Sequence, residues 1–305
     1  MTATMPARPD IDELRDPLAD RLLKSSARHN YDPEVDLDWD AEPVPGLWFM
    51  QPERMSLFGT PLWDSLSEEQ RIELSKHEIA SIASVGLWFE LVLMKLLLRE
   101  VYKRDPRSDW VHYALTEVGD ECRHSTMFGK AIDRFGAPAY GPRPEAYRIG
   151  KLAGVALHGP AFYAATLIGE EPVDRWQRDL MNDERIQPMV RMVARIHVME
   201  EARHVSFARE EVAKGVVDLS PVKLKMHQLL AAEAAYVTMR SLVNPRAYAA
   251  VGIDPREGRH QALANPHYRA TIAWMGEKVM PFLAEHDMIG TGRARKLWRA
   301  SFLLP

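Results

Sequence analysis

Apolar side chains recur along most of this chain at the three- and four-residue intervals of a helix face, and the strict two-residue alternation of a half-buried strand is missing. The pattern predicts an all-α fold. Ser67-Glu68-Glu69-Gln70 reads as a helix start, with serine as N-cap and acidic residues in the first turn. One or two helices are expected from there to about Lys103, and Asp105-Pro106 makes the turn into the next, over 109–135. Gly136 is placed to end that helix, and a loop rich in proline and glycine follows through Pro138, Gly141, Pro142 and Pro144. A third core helix starts or kinks at Gly159-Pro160. Pro172 disfavours the helical conformation in its predecessor, so Glu171 is expected at a helix end or bulge. The fourth core helix is expected over 183–217. Ser220-Pro221 opens another, to about Leu242, and further helices are expected over 266–286 and 292–302.

Prolines at 33, 43, 45, 52 and 61 break any long helix in the first 60 or so residues, but Trp39, Trp48, Phe49, Phe58 and Trp63 supply apolar anchors. Disorder favours segments poor in aromatics, so the segment is expected to wrap the core as an arm. The organisation that follows is a single domain: an arm over 1–64, a helical bundle over 65–220 and additional packed helices over 221–305.

Within this helical frame one motif occurs twice. Glu90 is followed 31 positions later by Glu121 and then by His124; Glu170 is followed 31 positions later by Glu201 and then by His204. The two sets are offset by 80 residues. Residues three apart share a helix face, so each Glu-x-x-His presents an oxygen and a nitrogen side by side. With one more glutamate from a neighbouring helix in each half, this is the arrangement of a four-helix bundle that holds two metal ions in its core. Glu171 is the fallback for Glu170, which keeps the offset.

A single Glu-x-x-His occurs by chance in a chain of this size. Glu257-Gly258-Arg259-His260 is such a copy, in a turn-like stretch around Asp254-Pro255. The second true copy carries an addition: His197, Glu201 and His204 fall at roughly 0°, 40° and −20° on a helical wheel. A solvated polar face would present the same types, but Val193, Ile196, Val205 and Ala208 surround this stripe. Burying the group without partners would cost several kcal/mol per side chain, which bound metal removes. His197 corresponds, at the offset of 80, to Glu117, which is expected at the surface or just outside the ligands.

Four carboxylates and three imidazoles suit iron, with manganese the alternative, rather than thiolate-rich structural zinc. Two divalent ions would neutralise the four carboxylates. Asp120, Glu200, Arg123 and Arg203 flank the ligands and are expected to brace them, the carboxylates taking the outer ring N–H of the histidines. Cys122, the one cysteine, is rotated about 100° from Glu121 and is expected to be a small buried residue between helices. It excludes an intrachain disulfide, so a reducing cytoplasm is expected. The net charge of −4 gives no footprint for nucleic acid. Glu90 and Lys95 interrupt the longest apolar run, so no membrane span is expected, and the first 15 residues lack the apolar core of a secretory signal.

The run His197-Val198-Met199-Glu200-Glu201-Ala202-Arg203-His204-Val205-Ser206-Phe207-Ala208 resembles the signature of the p-aminobenzoate N-oxygenase family of di-iron enzymes. The family's extra histidine matches His197, its Glu-x-x-His pairs match Glu121/His124 and Glu201/His204, and its single glutamates match Glu90 and Glu170. The resemblance covers roughly residues 65–220. It implies a ferritin-like bundle, two irons, a homodimer, dioxygen as co-substrate and stepwise oxidation of an aromatic amine toward a nitro group.

Gly86, Leu87, Trp88, Leu91 and Met94 around Glu90 suggest a small apolar or aromatic substrate; Arg240, His260 and His267 are candidates for its access route or plain surface. C-hydroxylation, desaturation and ferritin-like iron oxidation are the alternatives. A radical-generating subunit resembling that of ribonucleotide reductase would place a tyrosine four residues after the first histidine, where this chain has Phe128. No glycine-rich dinucleotide fingerprint follows a strand, so electrons are expected from a separate reductase or ferredoxin.

Overall fold

A computed structural model describes residues 14–305; the part of the expected arm before Leu14 lies outside the described residues. Those residues are helical with no strand among them, as the periodicity predicts. A ten-residue helix, α1 (Pro17–Ser26), is capped by Asp16, whose carboxylate accepts from the N–H of Leu18 and Ala19, both at 3.0 Å. The core is then built from α2 (Glu68–Val101), α3 (Asp109–Arg134), α5 (Gly159–Leu180) and α6 (Pro188–Val216), with α4 (Pro144–Ala156) between the pairs. Helix α7 (Pro221–Met239) and shorter helices, Pro255–Ala264, Pro266–Met275, Val279–Glu285 and Gly292–Ser301, follow.

The expected helix starts hold where local capping decides them. Ser67 accepts from the Gln70 N–H at 3.3 Å while Gln70 accepts from the Ser67 N–H at 3.0 Å, closing a capping box. Helix α2 is long and apolar enough to cross a membrane by length and composition, yet its buried stripe packs on α3 and carries Glu90.

Five expectations are corrected. Pro172 lies inside α5, which runs on to Leu180; an interior proline costs about 3 kcal/mol, and burial of α5 along α6 outweighs it. The fourth core helix starts at Pro188, because residues 183–187 pair with the arm instead. Pro144 opens helix α4 rather than continuing a loop. The stretch after Asp254 is a helix, Pro255–Ala264, capped by that aspartate, but its Glu257 and His260 are exposed and far from any ligand cluster. The 266–286 helix is broken between Met275 and Val279.

The arm wraps the core through the expected aromatics: Phe49 and Trp63 are buried, and Trp39, Trp48 and Phe58 pack on the core. Its backbone is clipped to the α5–α6 connection. The Trp48 N–H donates to the Arg185 carbonyl at 2.9 Å, the Gln187 N–H donates to the Trp48 carbonyl at 2.8 Å, and the Gln187 amide oxygen takes the Val44 N–H at 2.8 Å.

Candidate metal centre

Four helices each contribute one stripe to a buried cluster. Helix α2 supplies Glu90, α3 supplies Glu121 and His124, α5 supplies Glu170, and α6 supplies His197, Glu201 and His204; none is more than 4% exposed. The seven sequence candidates therefore come together. His124 Nδ1 lies 3.2 Å from Glu121 Oε2 and 3.3 Å from Glu201 Oε1. His204 Nδ1 lies 3.1 Å from Glu121 Oε1 and 3.2 Å from Glu201 Oε1. Glu121 and Glu201 thus sit between the two histidines, in the position of bridging groups. His197 Nε2 faces Glu201 at 3.5 Å, Glu90 at 3.8 Å and Glu170 at 4.0 Å.

The cluster fits metal on a specific ground. Glu121 Oε1, Glu201 Oε2, Glu170 Oε1 and His197 Nε2 are buried atoms without a hydrogen-bond partner, an arrangement native interiors avoid unless something else satisfies them. Their residues fall in overlapping groups of three, and within each group one ligand atom per residue lies within 4.8 Å of the others.

The electrostatics tell the same story. Burial, with the Glu121 carboxylate next, pushes Glu90 well above the usual carboxylate range. Burial, then the Glu201 carboxylate, does the same to Glu170. Burial opposes ionisation of Glu201, but the His204 charge and the contacts from His124 and His204 outweigh it and hold that carboxyl well below its ordinary value. Burial pushes His197 down to about 4, which leaves a neutral ring with a free lone pair. Without metal, protons must take up the charge that cations would otherwise balance.

The bracing residues cross between halves. His124 Nε2 lies 2.8 Å from Glu200, and His204 Nε2 lies 3.2 Å from Asp120. Arg203 donates to Asp120 at 3.2 Å, and Arg123 donates to Asp120 and, at 3.4 Å, to Glu200. Both sequence alternatives, carboxylate to histidine and carboxylate to arginine, occur together. Burial opposes the charge on Asp120, yet His204 and the arginines hold it at about 2.

One expectation is corrected here, and one is narrowed. Of the two places expected for Glu117 the surface is excluded: it is 2% exposed, lies in one ligand cluster with Glu121 and His204, and has an unpartnered Oε2. Burial pushes its carboxyl up to about 8. Cys122 is exposed, with Sγ 3.5 Å from Met94 Sδ, rather than buried between helices. Of Glu170 and Glu171, the first groups with His197 and Glu201, and the second pairs with Arg209.

Sequence reading missed three participants. Gln177 meets His197 Nδ1 at 2.6 Å; it stands seven residues after Glu170, on the same helix face, and that spacing was the available signal. Ser125 donates to Glu90 at 2.6 Å. The arm caps the network from outside: the Tyr31 N–H donates to Glu200 at 3.2 Å, Asn30 accepts from Arg123 at 2.7 Å and the His29 carbonyl accepts from Arg203 at 3.2 Å.

Beside the cluster lies a chamber with an empty volume of about 740 Å³, part of it open to solvent. Glu90, Glu170 and His197 form one end, and Phe89, Phe128 and Val193 are among its walls. Phe89 fits only because Gly169 opposes it; a Cβ there would stand 2.0 Å from the Phe89 ring. Arg240, His260 and His267 do not line the chamber. Arg240 stacks on Phe302, and His267 Nε2 bonds the Glu53 carbonyl at 2.6 Å.

A helical bundle with paired Glu-x-x-His stripes and two further buried glutamates belongs to the carboxylate-bridged class of dinuclear metal proteins. Residues 12–287 match the family described as p-aminobenzoate N-oxygenase AurF, and the chain is a member of that family. Membership implies an oxygenase, and the buried Glu/His clusters are able to hold metal. The chain is also 30% identical, over 91% of its length and 84% of theirs, to uncharacterized proteins of Mycobacterium tuberculosis and Mycobacterium bovis.

Proposed function

We propose that this protein is a di-iron oxygenase that oxidises the nitrogen of a small aromatic amine. Glu90, Glu121, His124, Glu170, His197, Glu201 and His204 would hold the two irons, and Glu117 stands in one cluster with Glu121 and His204 as a further oxygen donor. When bound, such a pair of irons supplies activation of dioxygen, and the protein supplies orientation and a dry cavity. The observation that carries the reading is the convergence of unpartnered ligand atoms at one end of an apolar chamber.

Each residue's part follows from its contacts. For His197 to offer Nε2 to a metal, its proton must sit on Nδ1 and be donated to the Gln177 amide oxygen. Glu200 and Asp120 likewise hold the Nε2–H of His124 and His204, so both Nδ1 atoms face the carboxylates. Ser125 fixes one Glu90 oxygen and leaves the other toward His197. The chamber walls surround the reacting end with apolar side chains such as Phe89, Phe128 and Val193. Electrons come from a separate reductase or ferredoxin, and the reading places the protein in the cytoplasm as a homodimer.

C-hydroxylation or desaturation would use the same chamber. Ferritin-like iron oxidation would not need one, so the chamber disfavours it. The test is elemental analysis of protein expressed with iron, beside a Glu201→Ala, His204→Ala double variant. About two irons per chain, lost in the variant, followed by dioxygen uptake with an arylamine, is the expected result. Metal content untouched by the variant would sink the reading.

A further inference from the structure

We infer that the chamber accepts only molecules without an ionised group, such as neutral arylamines and their esters, and rejects p-aminobenzoate itself. This rests on the di-iron reading, because it takes the Glu90, Glu170 and His197 end of the chamber as the reacting end.

The ground is what the walls lack. Among the described residues, no lysine or arginine lines the chamber. Apart from the three candidate ligands, its polar side chains are Gln177 and Thr238. Gln177 commits its amide oxygen to His197, which leaves its N–H groups, and the Thr238 hydroxyl adds one more weak donor. A carboxylate moved from water into such a site loses hydration worth several kcal/mol, and neutral donors recover only part of it. Arg54 is a cation behind the wall formed by Ile82, Trp176 and Leu242. It is already engaged, stacked 3.8 Å above Trp274 and bonded to Asp179 at 3.2 Å.

Cations fare no better. Glu90 and Glu170 are the carboxylates lining the chamber, and with metal bound their charge is spent on it. A protonated alkylamine therefore has no counter-ion, whereas an aniline nitrogen is neutral at pH 7 and enters without one. An ester or nitrile on the ring would accept from the Thr238 hydroxyl, a neutral donor that a hydrocarbon wall alone would not offer.

The test compares methyl 4-aminobenzoate with 4-aminobenzoate, two molecules that share ring and amine and differ in charge. Binding to the iron-loaded protein is measured by calorimetry at pH 7.5, with Ala194→Phe, which fills the chamber wall, as the locating variant. The ester is expected to bind at least tenfold more tightly, and Ala194→Phe to abolish its binding while leaving iron content unchanged. Equal or tighter binding of the acid overturns the inference, as does ester binding that Ala194→Phe leaves intact. Failure of both ligands on protein that holds its iron also overturns it, while the metal reading survives. Protein that takes up no iron overturns that reading first, and this inference with it.

Discussion

Glu200 holds His124 across the bundle, carboxylate oxygen to ring nitrogen at 2.8 Å, although 76 residues separate them in sequence. Asp120 holds His204 in the mirror arrangement at 3.2 Å. Removing a carboxylate that orients a metal-binding histidine typically costs 10–100-fold in affinity. Glu200→Ala and Asp120→Ala should each weaken iron binding by about that factor in a competitive chelator titration. Unchanged affinity in both would show that the histidines are oriented by packing alone.

Stability should fall as pH rises from about 5 to 7.5, through Glu78. Burial pushes this carboxyl up to about 7, against hydrogen bonds from the Ser56 N–H at 3.0 Å and hydroxyl at 2.6 Å. The folded state thus keeps a proton that the unfolded chain releases near its ordinary value of about 4.3. Stability is fully present below that value and is lost through the folded pKa, by roughly 3–4 kcal/mol. Denaturant melts of wild type and Glu78→Gln across that range should differ in slope, with the variant flatter. Parallel slopes would assign the pH dependence elsewhere.

Gly169→Ala should destabilise the protein and disturb the chamber together. Its added Cβ would stand 2.0 Å from the Phe89 ring, so the ring must move, and overpacking of this kind costs about 1–3 kcal/mol. A lowered Tm that a second substitution, Phe89→Leu, partly restores is the expected outcome. A Gly169→Ala protein that melts like wild type would mean the two helices separate freely.

Cys122 should react with a thiol reagent in the folded protein, at one equivalent, because its side chain is exposed. Iron content should remain unchanged by the modification. Protection until denaturant is added would place the thiol inside after all.

What was legible in the sequence was whatever depends on helical spacing. The duplicated Glu-x-x-His needs only the pitch of a helix to put its members on one face, and His197 joined it by the same wheel. Glu117 was open to that argument too, standing four residues before Glu121, but a helical wheel alone leaves surface and ligand shell both open for it. Cys122 shows the limit of a single wheel: rotation away from the ligands gives an angle, and which angles are covered depends on neighbouring helices. Pro172 and Pro255 were read by local rule, one as a break and one as a turn. Burial overrode the first, and an aspartate cap turned the second into a start. The pairing of Glu171 with Arg209 and the reach of His29, Asn30 and Tyr31 to the far network are contacts between distant segments, which no local pattern records.

The crossed bracing sets an order of assembly. The hairpin of α2 and α3 contains Glu90, Glu121 and His124, but the carboxylate that aims its histidine arrives only with α6. The second hairpin waits in the same way for Asp120. A nascent chain that has emerged only as far as α5 therefore carries half a set of ligands with its imidazole unaimed. Any ion bound here would find both histidines aimed only after the two hairpins dock, so a half-built, solvent-open site would hold a free ion weakly.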